Sequence, residues 1–390
     1  MTDRGTAKSG TWSTALPRLA SENLSWIGTH KGNPERKGVG SDADGRRFDP
    51  TRRTASCGNM FTAAAIAGLS LLPYTTLFTR ARSGLPRLFP NDPDSPLLFP
   101  LSILSASNGV LMRARVPIDP YSLELWEPFP GEGAEIAGVP GRDEPGVMVE
   151  MPLDGGAGAE GGLVTGNLED KVRLGDGTEV TVSIVSSGLP NIFLPISSLR
   201  EAQVEVPDDL LALPASTLSA NAQLCHLLEN IRTTAAAQFS IPLSLASPKI
   251  TLVGPIPPSG YKTTAGGTVK ADGEADLLVR AISSGDWHAT IPGTTLGALN
   301  VAAGTRGTVV HELMPARAAA VSAGGDDKVV TVRAAHAAGV AESSVRFARD
   351  GTPESVVMVR TAREIMRGEV MIPERVLSSF VSAPWPAGFA

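Results

Sequence analysis

Hydrophobic positions in this chain follow three patterns, and each predicts a different element. In two Ala-rich stretches the apolar residues leave no polar face. Residues 60–69 (MFTAAAIAGL) follow Cys57-Gly58-Asn59 and are closed by Pro73, and residues 293–304 (GTTLGALNVAAG) repeat that design with small polar residues at the mouth. A helix without a polar stripe is predicted to lie buried on every side. Elsewhere the period is two: residues 179–184 alternate cleanly, and 110–116, 147–151, 277–282, 329–333, 345–349 and 356–360 read as strands, with Asp350-Gly351 joining the last two as a hairpin. Leu224, Leu227, Leu228 and Ile231 follow the third pattern, the i, i+3, i+4, i+7 stripe of an amphipathic helix. Cys225 and His226 flank that stripe and are read as structural.

Three stretches carry no such period. Residues 1–56, rich in Gly, Ser, Arg and Lys, read as loop or partial disorder, with Lys8, Lys31 and Lys37 solvated. Beyond Pro73 the chain breaks into short, Pro-punctuated pieces that read as strands. Residues 155–162 are a glycine-rich loop that opens no helix and carries no GK[ST], so it is not a phosphate cradle.

Because the second Ala-rich run repeats the first, the chain reads as a duplication. The fold class expected is α+β, with two pseudo-duplicated lobes, each a curved antiparallel sheet around a central buried helix, and a cleft between them. Residues 1–187 would form the N-terminal lobe, with 1–56 divergent. Residues 188–390 would form the C-terminal lobe, the last strand packing back on the first. The Gly188-Leu189-Pro190 break between two strands is read as the hinge.

Composition narrows the partners. The 390 residues are 42% hydrophobic and carry a formal charge of -6 spread along the chain, without a basic stripe interleaved with aromatics; nucleic acid is not an expected partner. Cys57 and Cys225 lie far apart and show no metal-ligand spacing, which disfavours a disulfide framework or a metal site and fits a reducing compartment. No apolar run approaches the ~20 residues needed to cross a bilayer. The N-terminus has no hydrophobic signal core, and its basic residues are interrupted by Asp3, Glu22, Glu35 and Asp42. No membrane partner is expected, the location expected is cytoplasmic, and a homodimer is left open.

The chemistry concentrates at Cys57-Gly58-Asn59. At a helix N-terminus, free N–H groups and a partial positive charge favour a bound anion and lower a thiol pKa. The competing reading is a small buried hydrophobe. Two helix mouths facing each other would clamp carboxylates from both sides while a side chain at one mouth removes a proton. The second mouth has no cysteine. Asn300 stands about where one would be sought, so a two-thiol epimerase is disfavoured and a proton shift along one face is favoured.

Several motifs in order then resemble one family: Ser56-Cys57-Gly58-Asn59-Met60, Gly138-Val139-Pro140-Gly141, Asp286-Trp287-His288-Ala289 with Pro292-Gly293-Thr294, Arg306-Gly307-Thr308-Val309-Val310, and residues 360–368 (RTAREIMRG). Together they resemble the PrpF-type 2-methylaconitate cis-trans isomerases. The resemblance implies a diaminopimelate epimerase-like fold and cofactor-independent allylic proton transfer in unsaturated di- or tricarboxylic acids. It implies Cys57 as acid/base, Gly58, Asn59 and Met60 at the first anion site, Thr294 and Thr295 at the opposite one, His288 near the cleft, and Ser355 near a turn facing substrate. Family members also carry a Thr-Ser-Lys whose lysine serves as base; the nearest counterpart is Thr29-His30-Lys31, which makes Lys31 the candidate. Leu189-Pro190 replaces the usual Asn-Pro, and Pro353-Glu354-Ser355-Val356 the usual Pro-Ser-Gly turn.

Two further readings remain open at this point. A carboxylate-binding or partner-binding protein could keep the fold without catalysis. A thiol hydrolase would need a His/Asn arrangement around Cys57, and none accompanies it.

Overall fold

The computed structural model describes residues 26–29, 58–105, 111–153, 161–207, 209–271, 273–315, 321–322 and 328–365. Its strands are β1 (Trp26–Thr29), β2 (Leu97–Ser105), β3 (Leu111–Ile118), β4 (Val147–Pro152), β5 (Gly161–Leu163), β6 (Asp170–Arg173), β7 (Glu179–Ser187), β8 (Pro190–Pro195), β9 (Lys249–Gly254), β10 (Tyr261–Lys262), β11 (Thr268–Val269), β12 (Leu277–Ser283), β13 (Asp286–Trp287), β14 (Val321–Ser322), β15 (Lys328–His336), β16 (Gly339–Phe347) and β17 (Pro353–Arg360). The helices are α1 (Gly58–Leu69), α2 (Tyr74–Arg82), α3 (Ile196–Glu201), α4 (Ala215–Ala220), α5 (Ala222–Gln238), α6 (Gly293–Gly304) and α7 (Val309–Leu313).

One mixed sheet runs through the molecule in the order β1-β2-β3-β4-β17-β16-β15-β12-β9-β8-β7-β5, with β6, β13 and β14 paired beside it. The two Ala-rich helices therefore share a sheet rather than each having its own. The joint is the antiparallel β4–β17 pair, in register from Ser355↔Pro152 to Arg360↔Val147. Nor is the sheet wholly antiparallel, since β1–β2, β8–β9 and β12–β15 pair in parallel.

Both helices lie on the same face of that sheet. Phe61, Ala65 and Leu69 of α1 pack with Val147 and Val149 of β4, and α6 packs with Val356 and Met358 of β17. Met358 stands directly opposite Val149, and Val356 opposite Met151. Directly opposed residues of an antiparallel pair point to one face, so both cores open on that side, and Met151 touches both.

The opposite face is covered in the second half by α3, α4 and α5. On β9, Ile250 and Leu252 join that layer while Val253 joins α6. Strands sandwiched this way lose their alternation, and β9 and β12 are buried through nearly every position.

Burial of the helices is unequal. From Thr295 to Gly304 every residue of α6 is buried, as its composition predicts. On α1, Ala63 and Ala67 are exposed, so this helix lies on the sheet and keeps one solvent face of alanines. Where strand-like pieces were expected after Pro73, the chain forms α2, with Pro73 at its N-cap and Leu77 turned inward. Residues 26–29, expected as loop, pair in parallel with β2. Gly188-Leu189, expected as a hinge, is the turn of the β7–β8 hairpin, closed at Ser186↔Pro190 with Gly188 at φ +82. Its strands pack on α5 and α6, so residues 179–195 belong to the second core.

Asp350-Gly351 does join β16 to β17 as a hairpin, and α5 covers the Leu224 stripe as expected. Cys225 sits beside that stripe, its sulfur 3.4 Å from Trp287 Nε1, and His226 is exposed. No single helix among the described residues is long and apolar enough to cross a membrane.

Candidate active site

α6 begins without a side-chain cap. Its N-cap is Pro292, whose side chain has no acceptor to offer, and the Pro292 carbonyl accepts only from Leu296 N–H further along, at 2.9 Å. The first-turn N–H groups of Gly293, Thr294 and Thr295 thus face the mouth, where a helix favours an anion. Behind them three buried side chains fix the helix on the sheet. Asn191 Nδ2 donates to Thr295 Oγ1 at 2.8 Å, and Thr251 Oγ1 donates to Asn191 Oδ1 at 2.9 Å. The chain β9–β8–α6 is therefore satisfied in series, leaving the backbone amides as the free donors.

Basic side chains gather around this mouth. A Cβ added at Gly293 would lie 3.6 Å from Met358 Sδ and 4.0 Å from Arg360 Nη2, so the end of β17 brings a guanidinium to the helix start. Lys249 opens β9 on the α6 side, alternating with Thr251, opposite Asn191 on β8. His288 lies in the segment leading into α6, its N–H bonded to the Ala281 carbonyl at 2.8 Å. Its Nδ1 accepts from Thr290 N–H at 3.1 Å, which puts the proton of the neutral ring on Nε2. His336 ends β15 on the same face as Ala334 of the α6 core.

The electrostatics agree with that geometry. Burial lowers the Lys249 ammonium to about 8. Burial also lowers His288, with the Lys249 charge adding to it. His336 falls to about 4, first through burial, then through the positive charges of Arg280, His288 and Arg360. Arg280, brought to about 10 by burial, lies on the other face of the sheet, opposite Leu252 of the α5 layer, with its guanidinium 5.4 Å from the Tyr261 ring centre. Among the described residues no carboxylate contributes to any of these four shifts. Lys249 thus brings a buried positive charge, without a carboxylate partner among the described residues, to the α6 side of the sheet, which favours a bound anion.

His336 also gives the fold a pH dependence. Its native pKa of about 4 lies below the ordinary value of 6.5, so between those limits the unfolded chain binds the proton and the native one does not. Stability is therefore full above about pH 6.5 and falls as pH drops toward 4, by about 3 kcal/mol in total. Urea melts of wild-type protein and His336→Gln at pH 7 and 4.5 check this. The wild type should lose more stability on acidification than the variant; equal losses would remove His336 as the cause.

Glycine lets a loop approach the mouth. Gly138, at φ +88, packs so closely that an added Cβ would meet Thr290 Cγ2 at 2.8 Å and Ala338 Cβ at 3.0 Å. This is the Gly138-Val139-Pro140-Gly141 motif, and it seats the segment before β4 against the residues leading into α6.

The structure treats the sequence-derived candidates unequally. Thr294 and Thr295 are in the first turn of α6, with Thr295 wholly buried, and His288 is beside them. Met60 is half-buried and packs in the α1 core. Gly58 and Asn59 are the first two residues of α1; Cys57 and Lys31 lie outside the described residues. Ser355 is not at the mouth. It is paired with Arg346 on the sheet face away from α6, whereas Val356 and Met358 face the helix. Asn300 is not there either: it lies two turns into α6, fully buried, donating to the Leu296 carbonyl at 2.8 Å and to Ser343 Oγ. A second acid or base at that position would be inside the core.

Sequence reasoning missed Lys249, Arg360, His336 and Asn191. Lys249 carried a signal, because it is a charge directly opening an otherwise uncharged strand, Lys249–Gly254, buried on both sides. Among the described residues no group of three or more His, Cys, Asp or Glu is placed to hold a metal ion.

Fold and site together define a mixed α+β protein whose buried central helix presents a mouth without a side-chain cap, lined by basic residues, a class suited to binding a small anion. The same fold occurs in the crystal structure of methylitaconate-delta-isomerase, at TM-score 0.58 and 22% identity, covering 86% of this chain and 76% of that one. The PrpF protein family model matches residues 103–373, well over half of the chain, and the chain belongs to that family. Among named relatives, the 2-methyl-aconitate isomerase of Shewanella oneidensis is 29% identical over 298 residues, 69% of this chain and 70% of its own. The 3-methylitaconate isomerase of Eubacterium barkeri is 28% identical over 282 residues, 70% and 67% of the two chains.

Proposed function

We propose that this PrpF protein is an isomerase that moves a proton, and with it a double bond or its geometry, in an unsaturated di- or tricarboxylic acid, without a cofactor. The observation that carries the reading is the α6 mouth, where three first-turn amides open on the side of the sheet that bears the basic residues Arg360, Lys249, His288 and His336. Its relatives, named as isomerases of 2-methylaconitate and 3-methylitaconate, support the same chemistry.

The cleft of this proposal lies between the α1 half and the α6 half of the sheet, with one end of the substrate at each helix start. A carboxylate at the α6 mouth would be held by N–H groups and cations. When a base removes a proton from the carbon allylic to the double bond, the electron pair spreads through the double bond into that carboxylate. The added negative charge arises where positive charge is already fixed, which lowers the barrier without reorganisation. Return of the proton to the far end of the allyl unit, on the same face, completes the shift.

Cys57, immediately before α1, is the acid/base of this scheme. Gly58 and Asn59 would bind the second carboxylate. Lys31, two residues beyond β1, is the candidate for a supporting lysine.

Incubation with cis-aconitate, 2-methylaconitate or 3-methylitaconate, with chelator present, tests the proposal by proton NMR. Interconversion of double-bond isomers of at least one acid is expected. Tight binding of all three without turnover would instead favour a carboxylate-binding protein.

A further inference from the structure

Lys249 is the one cation at the α6 mouth that the fold leaves without a structural task. It is 6% exposed, yet its only acceptor among the described residues is the Ala246 carbonyl at a long 3.4 Å. An ammonium has three donors, and burying one without partners is costly. Nothing in the strand requires the charge, since Ile250, Leu252 and Val253 are held by apolar packing and by backbone pairing with β8 and β12.

The register of Lys249 places it on the α6 side of the sheet. Lys249 stands opposite Asn191, whose amide is 2.8 Å from Thr295 Oγ1 in the first turn of α6. Neighbouring strands are about 4.8 Å apart, so a lysine stem spans the gap to that turn. The 244–248 segment that bears Ala246 is itself fixed. Arg232 donates to the Ser244 and Pro248 carbonyls at 3.0 and 3.1 Å, and its charge is balanced by Glu229 at 2.7 Å. Of the titratable groups on the α6 side, His288 lies near enough to feel the Lys249 charge, and His288 and Arg360 in turn act on His336; none of these is a carboxylate.

We infer that the Lys249 ammonium, together with the first-turn amides of α6, directly binds a carboxylate of the substrate, and that this hold is released when the amine loses its proton. The inference rests on the isomerase reading and adds to it a binding residue and a pH limit. The Lys249 amine, near 8 in the free protein, is charged below that pH and neutral above it. Anion binding is therefore full on the acidic side and weakens as pH rises past it.

Titration calorimetry with tricarballylate, a saturated tricarboxylate that cannot isomerise, tests this on the full chain. Lys249→Met should weaken binding about 30-fold or more at pH 7, the scale for removing one partner of a desolvated charge pair. Lys249→Arg should stay within about 5-fold of wild type, because it keeps the charge. From pH 7 to 9.5 the wild-type Kd should rise, and the Lys249→Arg Kd should rise much less. Lys249→Met binding within about threefold of wild type would overturn the assignment. If that variant does not fold, equal pH dependence in wild type and Lys249→Arg would do so. Those results, with wild-type turnover intact, would leave the isomerase reading standing. Wild-type protein that neither binds tricarballylate nor turns over any of the unsaturated acids would remove both.

Discussion

Replacing Cys57 by alanine is expected to slow isomerisation by about 10³-fold, within the range contributed by a positioned acid or base. The residue directly precedes α1, where the free N–H groups of the first turn favour a thiolate over a thiol. In the proposed mechanism a thiolate at that point would remove a proton and, as the thiol, give it back, so one side chain would serve both half-reactions. Alanine abolishes both, yet leaves the α6 mouth and the helix intact. Tricarballylate binding should therefore change by less than about threefold while kcat collapses. Cys57→Ser should remain nearly as slow, because an alcohol is far harder to ionise than a thiol. Turnover by Cys57→Ala equal to wild type would take the sulfur out of the mechanism and return it to the role of a small helix-start residue.

The second large effect is structural. Gly304, the last residue of α6, lies against Phe347 of β16 so closely that a Cβ would meet the ring at 2.3 and 2.4 Å. Phe347 is 2% exposed and packed in the same core, so the ring has no space into which to swing. Gly304→Val should cost on the order of 3 kcal/mol, the upper part of the range for overpacking a well-filled core. Thermal unfolding should fall by several degrees, and activity with it, because the far end of the same helix carries the anion site. Adding Phe347→Ala should make the second substitution far less harmful in the Gly304→Val background than alone. Strict additivity in that double-mutant cycle would mean that the two residues do not share the space as described.

The helix carrying the site was legible because its residues have no polar stripe, and a helix of that composition has nowhere to go but the core. The same reasoning overreached for α1, whose alanines at positions 63 and 67 tolerate solvent as readily as packing. Local pattern put the last strand back against the first lobe but could not reveal that β17 would pair with β4, some 200 residues away, and join two expected sheets into one. Ser355 was placed by its resemblance to a turn facing substrate and not by alternation, so nothing in the local pattern said which face of β17 it would occupy. Thr294 and Thr295 were legible from the small polar residues at a helix start. Asn191 and Lys249 were not, because they reach the site across strands from positions about 100 and 45 residues away.

The central claim is that the protein transfers a proton within an unsaturated polycarboxylate held between two helix starts. Its most direct measurement is the fate of hydrogen when 2-methylaconitate or cis-aconitate is incubated with the protein in deuterated water and followed by NMR. The account predicts deuterium in the recovered isomers at the carbons of the allyl unit that lose and gain the proton, on a single face, with the rate cut about 10³-fold in Cys57→Ala. Wild-type protein that gives neither isomerisation nor exchange with any of the acids, or exchange untouched by Cys57→Ala, would contradict it.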